Sequence, residues 1–222
     1  MSISIVLALT STFMILVPIC MGTAVYSKAE LRYKFFFYLL LFGFLVDGSN
    51  ALAYFYSAQY SFVKPVAKFL YVVYKPIEAI GLMWFIRFFL ISISQQKRIV
   101  YLAISMVPAW IFFSYLFPAL VQVTDFRFFD ALYRIIVAYL AYLALLQLTK
   151  KPEPLIQQPA FWFLGGVFYY CFSTFFIMVL QKTQLKEFFW WVHNAVNISA
   201  YIIYTVGFLK IRTTAKTQSS LE

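Results

Sequence analysis

The side chains that could do chemistry in this chain stand inside long apolar stretches. Between Trp190 and Tyr204, the residues His193, Asn197, Tyr201 and Tyr204 recur at helical spacing and share one side of a helix, with Asn194 alongside. Asp47 shares a face of an earlier stretch with Asn50 and Tyr54. Lys68, Tyr71, Lys75 and Glu78 follow at spacings that put them on one face of the next. Asp130 and Arg134 are four apart, with Tyr133 beside them. A lone ionisable group at the centre of a membrane helix costs roughly 2.5–3.5 kcal/mol. Several facing lipid would cost on the order of 10 kcal/mol, so partners or water must offset the charge. Spacing suggests Lys75 with Glu78 and Asp130 with Arg134. His193 is within reach of Asp130, and Asp47 is left with no assignable donor.

Two uses of such a set compete. Buried polar groups can hold helices together through hydrogen bonds. Alternatively, they can line a polar cavity that binds a small ligand or passes a substrate. Mixed signs drawn from four helices favour the cavity. The candidate network is therefore Asp47, Asn50, Tyr71, Lys75, Glu78, Asp130, Arg134, His193, Asn194, Asn197 and Tyr201.

Established catalytic chemistries fit poorly. Zinc hydrolysis needs at least three good ligands, and with His193 as the only histidine they would have to be drawn from Asp47, Glu78 or Asp130 at spacings that do not suggest a site. Haem held between two histidines is excluded on the same count. A serine triad could be assembled on paper from Ser173 or Ser199 with His193, but no nucleophile motif supports it. A retinal pigment needs a lysine in the body of the last helix, where none precedes Lys210; Lys75 is mid-span on another helix. No enzyme activity, cofactor or metal is expected. Cys20 and Cys171 read as small buried hydrophobes.

The elements that must position this set are membrane spans. Of 222 residues, 64% are hydrophobic and 12% charged, against about 25% charged in a soluble domain. Aromatics make up 22%, which suits a Phe-rich lipid face and an interior that uses Tyr hydroxyls. A span needs about 20 mainly apolar residues. Segments near 3–26, 35–56, 66–93, 100–121, 128–148, 160–180 and 188–209 qualify. The first has no basic n-region and is longer than a signal peptide, so it reads as a retained span. Short connections make successive helices antiparallel neighbours. Pro76 interrupts backbone hydrogen bonding beside Lys75 and Glu78, and Gly165-Gly166 permit close helix approach. Arg87 is expected to snorkel. Tyr170, Ser173 and Thr174 could add hydroxyls to the interior.

The net charge of +10 lies mostly in loops and tails and so points to topology rather than nucleic acid. Lys28, Arg32, Lys34, Lys97, Arg98, Lys150, Lys151, Lys210, Arg212 and Lys216 fall on one side; Lys64, Arg127, Lys182 and Lys186 fall on the other. The richer side is expected to be cytoplasmic, with the N-terminus outside and the C-terminus inside. The expected fold is an all-α integral membrane protein, a seven-helix bundle over residues 1–210. A disordered cytoplasmic tail over 211–222 would follow, where Leu221-Glu222 has the look of a cloning scar. Small seven-span sugar carriers share this length and orientation. Their proline-glutamine signature appears here only in reverse, at Gln158-Pro159, and no internal repeat is visible.

The order of motifs carries one resemblance. An acidic residue in the second span precedes Tyr71-Val72-Val73-Tyr74-Lys75-Pro76-Ile77-Glu78 in the third. A Pro-x-Phe-Trp-Phe-x-x-Gly opening follows at Pro159 to Gly166, and a Trp-x-His-Asn-x-x-Asn segment at Trp191 to Asn197. The chain resembles a family of uncharacterised seven-span proteins common in Bacteroidota, whose genes often lie near sensor histidine kinases or response regulators. Lys75 and Pro76 stand where apolar residues are commoner in that family. The resemblance implies a sensory membrane module of the bacterial inner membrane. It would bind a small ligand, or a partner's span, in the outer half and signal through a separate protein such as a histidine kinase. Lys97, Arg98, Lys150 and Lys151 could touch that partner or anionic lipid, although topology alone accounts for them. A small-solute transporter and a non-catalytic scaffold are the alternatives.

Overall fold

The computed structural model describes residues 3–56, 62–117, 128–180 and 186–219. Helices account for nearly all of them. They are α1 (Ile3–Met14), α2 (Leu16–Val25), α3 (Leu31–Tyr56), α4 (Val63–Arg87), α5 (Ile93–Ile111), α6 (Phe128–Leu148), α7 (Pro159–Leu180) and α8 (Lys186–Ser219). A π-helical turn, Phe112–Leu116, continues α5, and a 3₁₀ turn, Leu155–Gln157, precedes α7. Taking α1 and α2 as one span broken at Ile15, 7 helices among the described residues are long and apolar enough to cross a membrane. The chain is a multi-pass membrane protein by length and composition of its helices.

Proline explains the local irregularities. Pro18 follows the break at Ile15; its ring clashes with the carbonyl four residues back and its nitrogen has no proton to give, so α1 stops at Met14. Pro108 lies inside α5 and the π turn follows within one turn of it, the usual repair of a disturbed ladder. Pro76 is buried inside α4, which runs on past it to Arg87. The third span therefore begins and ends before the expected 66–93, at Val63 and Arg87. Gln147 closes the connection after it by accepting the Ile91 N–H at 2.8 Å. The fourth expected span, 100–121, starts sooner, at Ile93, and its last residues lie outside the described ones. At the other end of the chain α8 stays helical to Ser219 where a disordered tail is expected, because no Gly or Pro stops it after Gly207.

Sequential helices pack side by side where expected, α3 with α4, α4 with α5, α6 with α7 and α7 with α8. The first span departs from that pattern. Both α1 and α2 lean mainly on α8, and α5 rests on α4 with little contact to α6.

The end of the bundle that holds residues 26–34, 88–92 and 149–158 is densely aromatic. Phe36 meets Phe85 at 4.7 Å between ring centroids, Phe163 at 5.1 Å and Tyr204 at 4.8 Å. Phe163 meets Phe208 at 4.8 Å. Phe36, Phe85, Phe163 and Phe208 are among the largest fully buried side chains. Phe therefore builds the interior here as well as the outer face, against the expectation that interior rings would be Tyr. The rings pack because glycines make room: a Cβ at Gly166 would sit 2.4 Å from Tyr204, and one at Gly207 2.8 Å from Phe163. Of the Gly165-Gly166 pair, only Gly166 serves close approach, since nothing lies within 4 Å of a Cβ at Gly165.

Candidate functional site

Toward the opposite end, which holds the N-terminus, polar residues replace these rings. Two adjoining cavities lie here, one between α3, α4, α6, α7 and α8 and the other between α1, α3, α4 and α8. The narrower, about 170 Å³, lies deeper and is lined by Asp47, Tyr71, Lys75, Glu78, Asp130, Arg134, His193, Asn197 and Tyr201, among others. The wider, about 600 Å³, lies against α1 and is lined by Asn50 and Asn194 together with Asp47, Tyr71, His193 and Asn197. Every residue of the sequence-derived network thus borders one cavity or the other. Asp47, Tyr71, Trp190, His193 and Asn197 border both and mark their junction.

Each helix brings its share by simple periodicity. On α4, Tyr71, Tyr74, Lys75, Glu78 and Leu82 repeat every three or four residues and line the deeper cavity. Lys68, one turn earlier, is exposed and borders neither. On α8, Trp190, His193, Asn197, Ala200, Tyr201 and Tyr204 follow the same rhythm. The side chain of Tyr54 lies outside the described residues.

The charge pairing differs from what spacing along single helices suggests. Lys75 does not pair with Glu78; its ammonium crosses from α4 to α6 and donates to Asp130 Oδ2 at 2.5 Å. Arg134 does not turn to Asp130. Its Nη1 donates to Thr174 Oγ1 of α7 at 2.9 Å, and its Nη2 lies 3.9 Å from Glu78 Oε2. Glu78 accepts from Tyr133 at 2.6 Å and from Tyr170 at 3.3 Å. The rule of three or four residues describes side chains on an exposed helix surface. Inside a bundle, a neighbouring helix offers partners directly opposite, and these win. The guanidinium of Arg134 also sits between rings, 5.1 Å from the centroid of Tyr133 and 4.9 Å from that of Tyr170, contacts that suit its weak hydration.

These groups are well shielded: Glu78 is 7% exposed, Asp130 2% and Arg134 6%. Such pairing makes the charges tolerable rather than strongly stabilising, since desolvation offsets most of the attraction. Asp130 Oδ1, Arg134 Nε and Asn197 Oδ1 accept or donate no hydrogen bond among the described residues. They belong to lining residues of a polar cavity that can hold water or a polar ligand. Among the described residues Asp47 makes no hydrogen bond or ion pair at all.

On α8, Asn197 Nδ2 lies 3.5 Å from His193 Nε2, and the Trp190 ring lies tilted against His193 with centroids 6.1 Å apart. Asn194 turns back to donate to the Trp190 carbonyl at 2.8 Å. Asp130 Oδ2 accepts from Lys75 rather than from His193. Arg87 is half-buried and lies over its own helix neighbour Trp84 at 4.7 Å. Gln158 donates to the Glu153 carbonyl at 2.8 Å, pinning the loop before α7.

Sequence reasoning missed two lining residues it had the means to find. Tyr74 is four residues before Glu78, and Trp190 three before His193, so both share those faces. A Trp near the end of a span suits a membrane-interface anchor by type, which does not by itself point to a place on the stripe. The contribution of Ser11 and Thr12 on α1 had no such signal, because it depends on how the first span leans.

No group of three or more His, Cys, Asp or Glu side chains that could hold a metal ion occurs among the described residues. No family model, curated protein or solved structure matches the chain.

Proposed function

We propose that this protein is a receptor-like sensor of a bacterial cytoplasmic membrane, with its N-terminus outside. It binds a small ligand in the double chamber and signals through a separate partner, such as a histidine kinase. One observation carries this reading over that of a carrier: the chamber ends against closely packed rings that meet mostly edge to face. Below Tyr204 the space between α3, α4, α7 and α8 is filled by Phe36, Phe85, Phe163 and Phe208. A solute that enters past Asn50 and Asn194 meets a packed floor, so the geometry suits binding without passage.

The helices that line the chamber also form that floor, which gives occupancy a route to the basic end. A ligand drawn toward both α3 and α8 would change how Phe36 meets Tyr204, provided it binds one arrangement better than the other. The resemblance to seven-span proteins encoded near histidine kinases motivates the choice of partner.

The test is reconstitution in liposomes, with binding and solute uptake measured on the same preparation. A sensor binds ligand saturably without accumulation or counterflow, and deletion of the gene alters the output of a co-purifying kinase. Counterflow would convert the reading to a transporter. Absence of any ligand, together with unchanged kinase output, would leave a scaffold.

A further inference from the structure

The charge inventory of the chamber identifies the class of ligand. Two cations, Lys75 and Arg134, and three carboxyls, Asp47, Glu78 and Asp130, border the deeper cavity. Both cations are already engaged by carboxylates: Lys75 by Asp130 at 2.5 Å, and Arg134 by Glu78 at 3.9 Å with Thr174 at 2.9 Å. Those two pairs leave the carboxyl of Asp47 over. That carboxyl stands where the two cavities join and has no partner among the described residues. Around it the lining is aromatic, with Tyr71 and Trp190 bordering both cavities and Tyr74 the deeper one.

We infer that the junction takes a small organic cation, an amine or quaternary ammonium, with Asp47 as its counter-ion and the rings of Tyr71, Tyr74 and Trp190 as its walls. An unpaired carboxylate in a low-dielectric site attracts a cation strongly, and with both side-chain cations engaged elsewhere a ligand cation competes for it only with a proton. Ring faces add attraction for a weakly hydrated ammonium. The molecule already makes this contact once: the Lys75 ammonium lies 4.7 Å from the Tyr71 centroid. An anionic ligand would compete with Asp130 and Glu78 for the two cations, whereas a cation at Asp47 breaks neither ion pair.

This inference rests on the reading of the chamber as a ligand site, and the experiment separates the two. Purified protein in nanodiscs is titrated by calorimetry with choline, with its neutral carbon isostere dimethylbutanol, and with butyrate. Choline is expected to bind saturably and at least tenfold more tightly than either. Asp47→Asn should lose tenfold or more with an unchanged melting temperature. Trp190→Leu, at a partly exposed ring, should lose roughly fivefold and serves if Asp47→Asn fails to fold. Butyrate or the isostere binding as tightly as choline would overturn the cation assignment while keeping the chamber as a binding site. Binding of none of the three overturns the assignment too, and if a membrane-impermeant thiol reagent also fails to reach the chamber, the ligand reading falls with it.

Discussion

The two ends of this bundle solve opposite problems with the same helices. At the basic end, α3, α4, α7 and α8 close on Phe36, Phe85, Phe163 and Phe208. At the other end the same helices, joined by α6, enclose cavities of about 170 and 600 Å³ lined by acids, bases and amides. The first arrangement is held by ring-to-ring packing that glycines permit. The second is held open by long side chains that pair across helices instead of filling the space. Helices in lipid gain little from hydrophobic burial, so close packing and interhelical hydrogen bonds must do the work. Close packing therefore belongs to the aromatic end and open space to the chambered one.

Substitutions that strike the two ends differently would sharpen this contrast. The largest effect is expected at the boundary between them. Arg134→Met leaves Glu78 without its cation and Thr174 without its donor, and should cost about 3–5 kcal/mol in reversible unfolding from mixed micelles. Next comes overpacking of the aromatic end. Gly166→Ala places a methyl 2.4 Å from Tyr204 and should cost about 1–3 kcal/mol by the same assay. Its neighbour is the control: Gly165→Ala meets nothing within 4 Å and should be neutral or stabilising by up to about 1 kcal/mol.

A subtler experiment tests the pairing itself. A double-mutant cycle of Lys75→Met with Asp130→Asn should give a coupling of roughly 0.5–3 kcal/mol, while Lys75→Met with Glu78→Gln should be close to additive. The smallest effect on stability is expected inside the chamber, where Asn50→Ala changes a residue with no hydrogen bond among the described residues. Its melting temperature should stay within about 0.5 kcal/mol equivalent of the parent. A large loss there would mean that the polar end is packed like the aromatic one.

The sequence made some of this legible and hid the rest for physical reasons. Helix faces follow from a period that any polar residue in an apolar stretch reveals, so Asp47, Glu78, Asp130 and His193 could be assigned to a shared interior. Partner choice could not be read the same way. Lys75 has Glu78 three residues away and still reaches Asp130, because what lies opposite on α6 is set by how two helices pack, not by spacing on one. The aromatic floor was missed for a related reason. Phe in a membrane span reads as lipid-facing, and only the closeness of Gly166 and Gly207 to Tyr204 and Phe163 turns the rings inward. The first span reads as one continuous stretch, and neither its break at Ile15 nor its lean against α8 is legible there, although Pro18 lies just past the break.

The most direct test of the account is water access to the polar stripe. With Cys20 and Cys171 replaced by alanine, single cysteines are placed at Asn50, Asn194 and Asn197 within the chamber, and at Leu45, Leu52 and Ile202, whose side chains are exposed on the outer surface. The labelling rate with a membrane-impermeant thiol reagent is then measured in sealed vesicles. The account predicts rapid labelling of the first group from the side of the N-terminus and none of the second. Equal protection of both groups, or labelling of Leu45 and Leu52 with Asn197 silent, would contradict it.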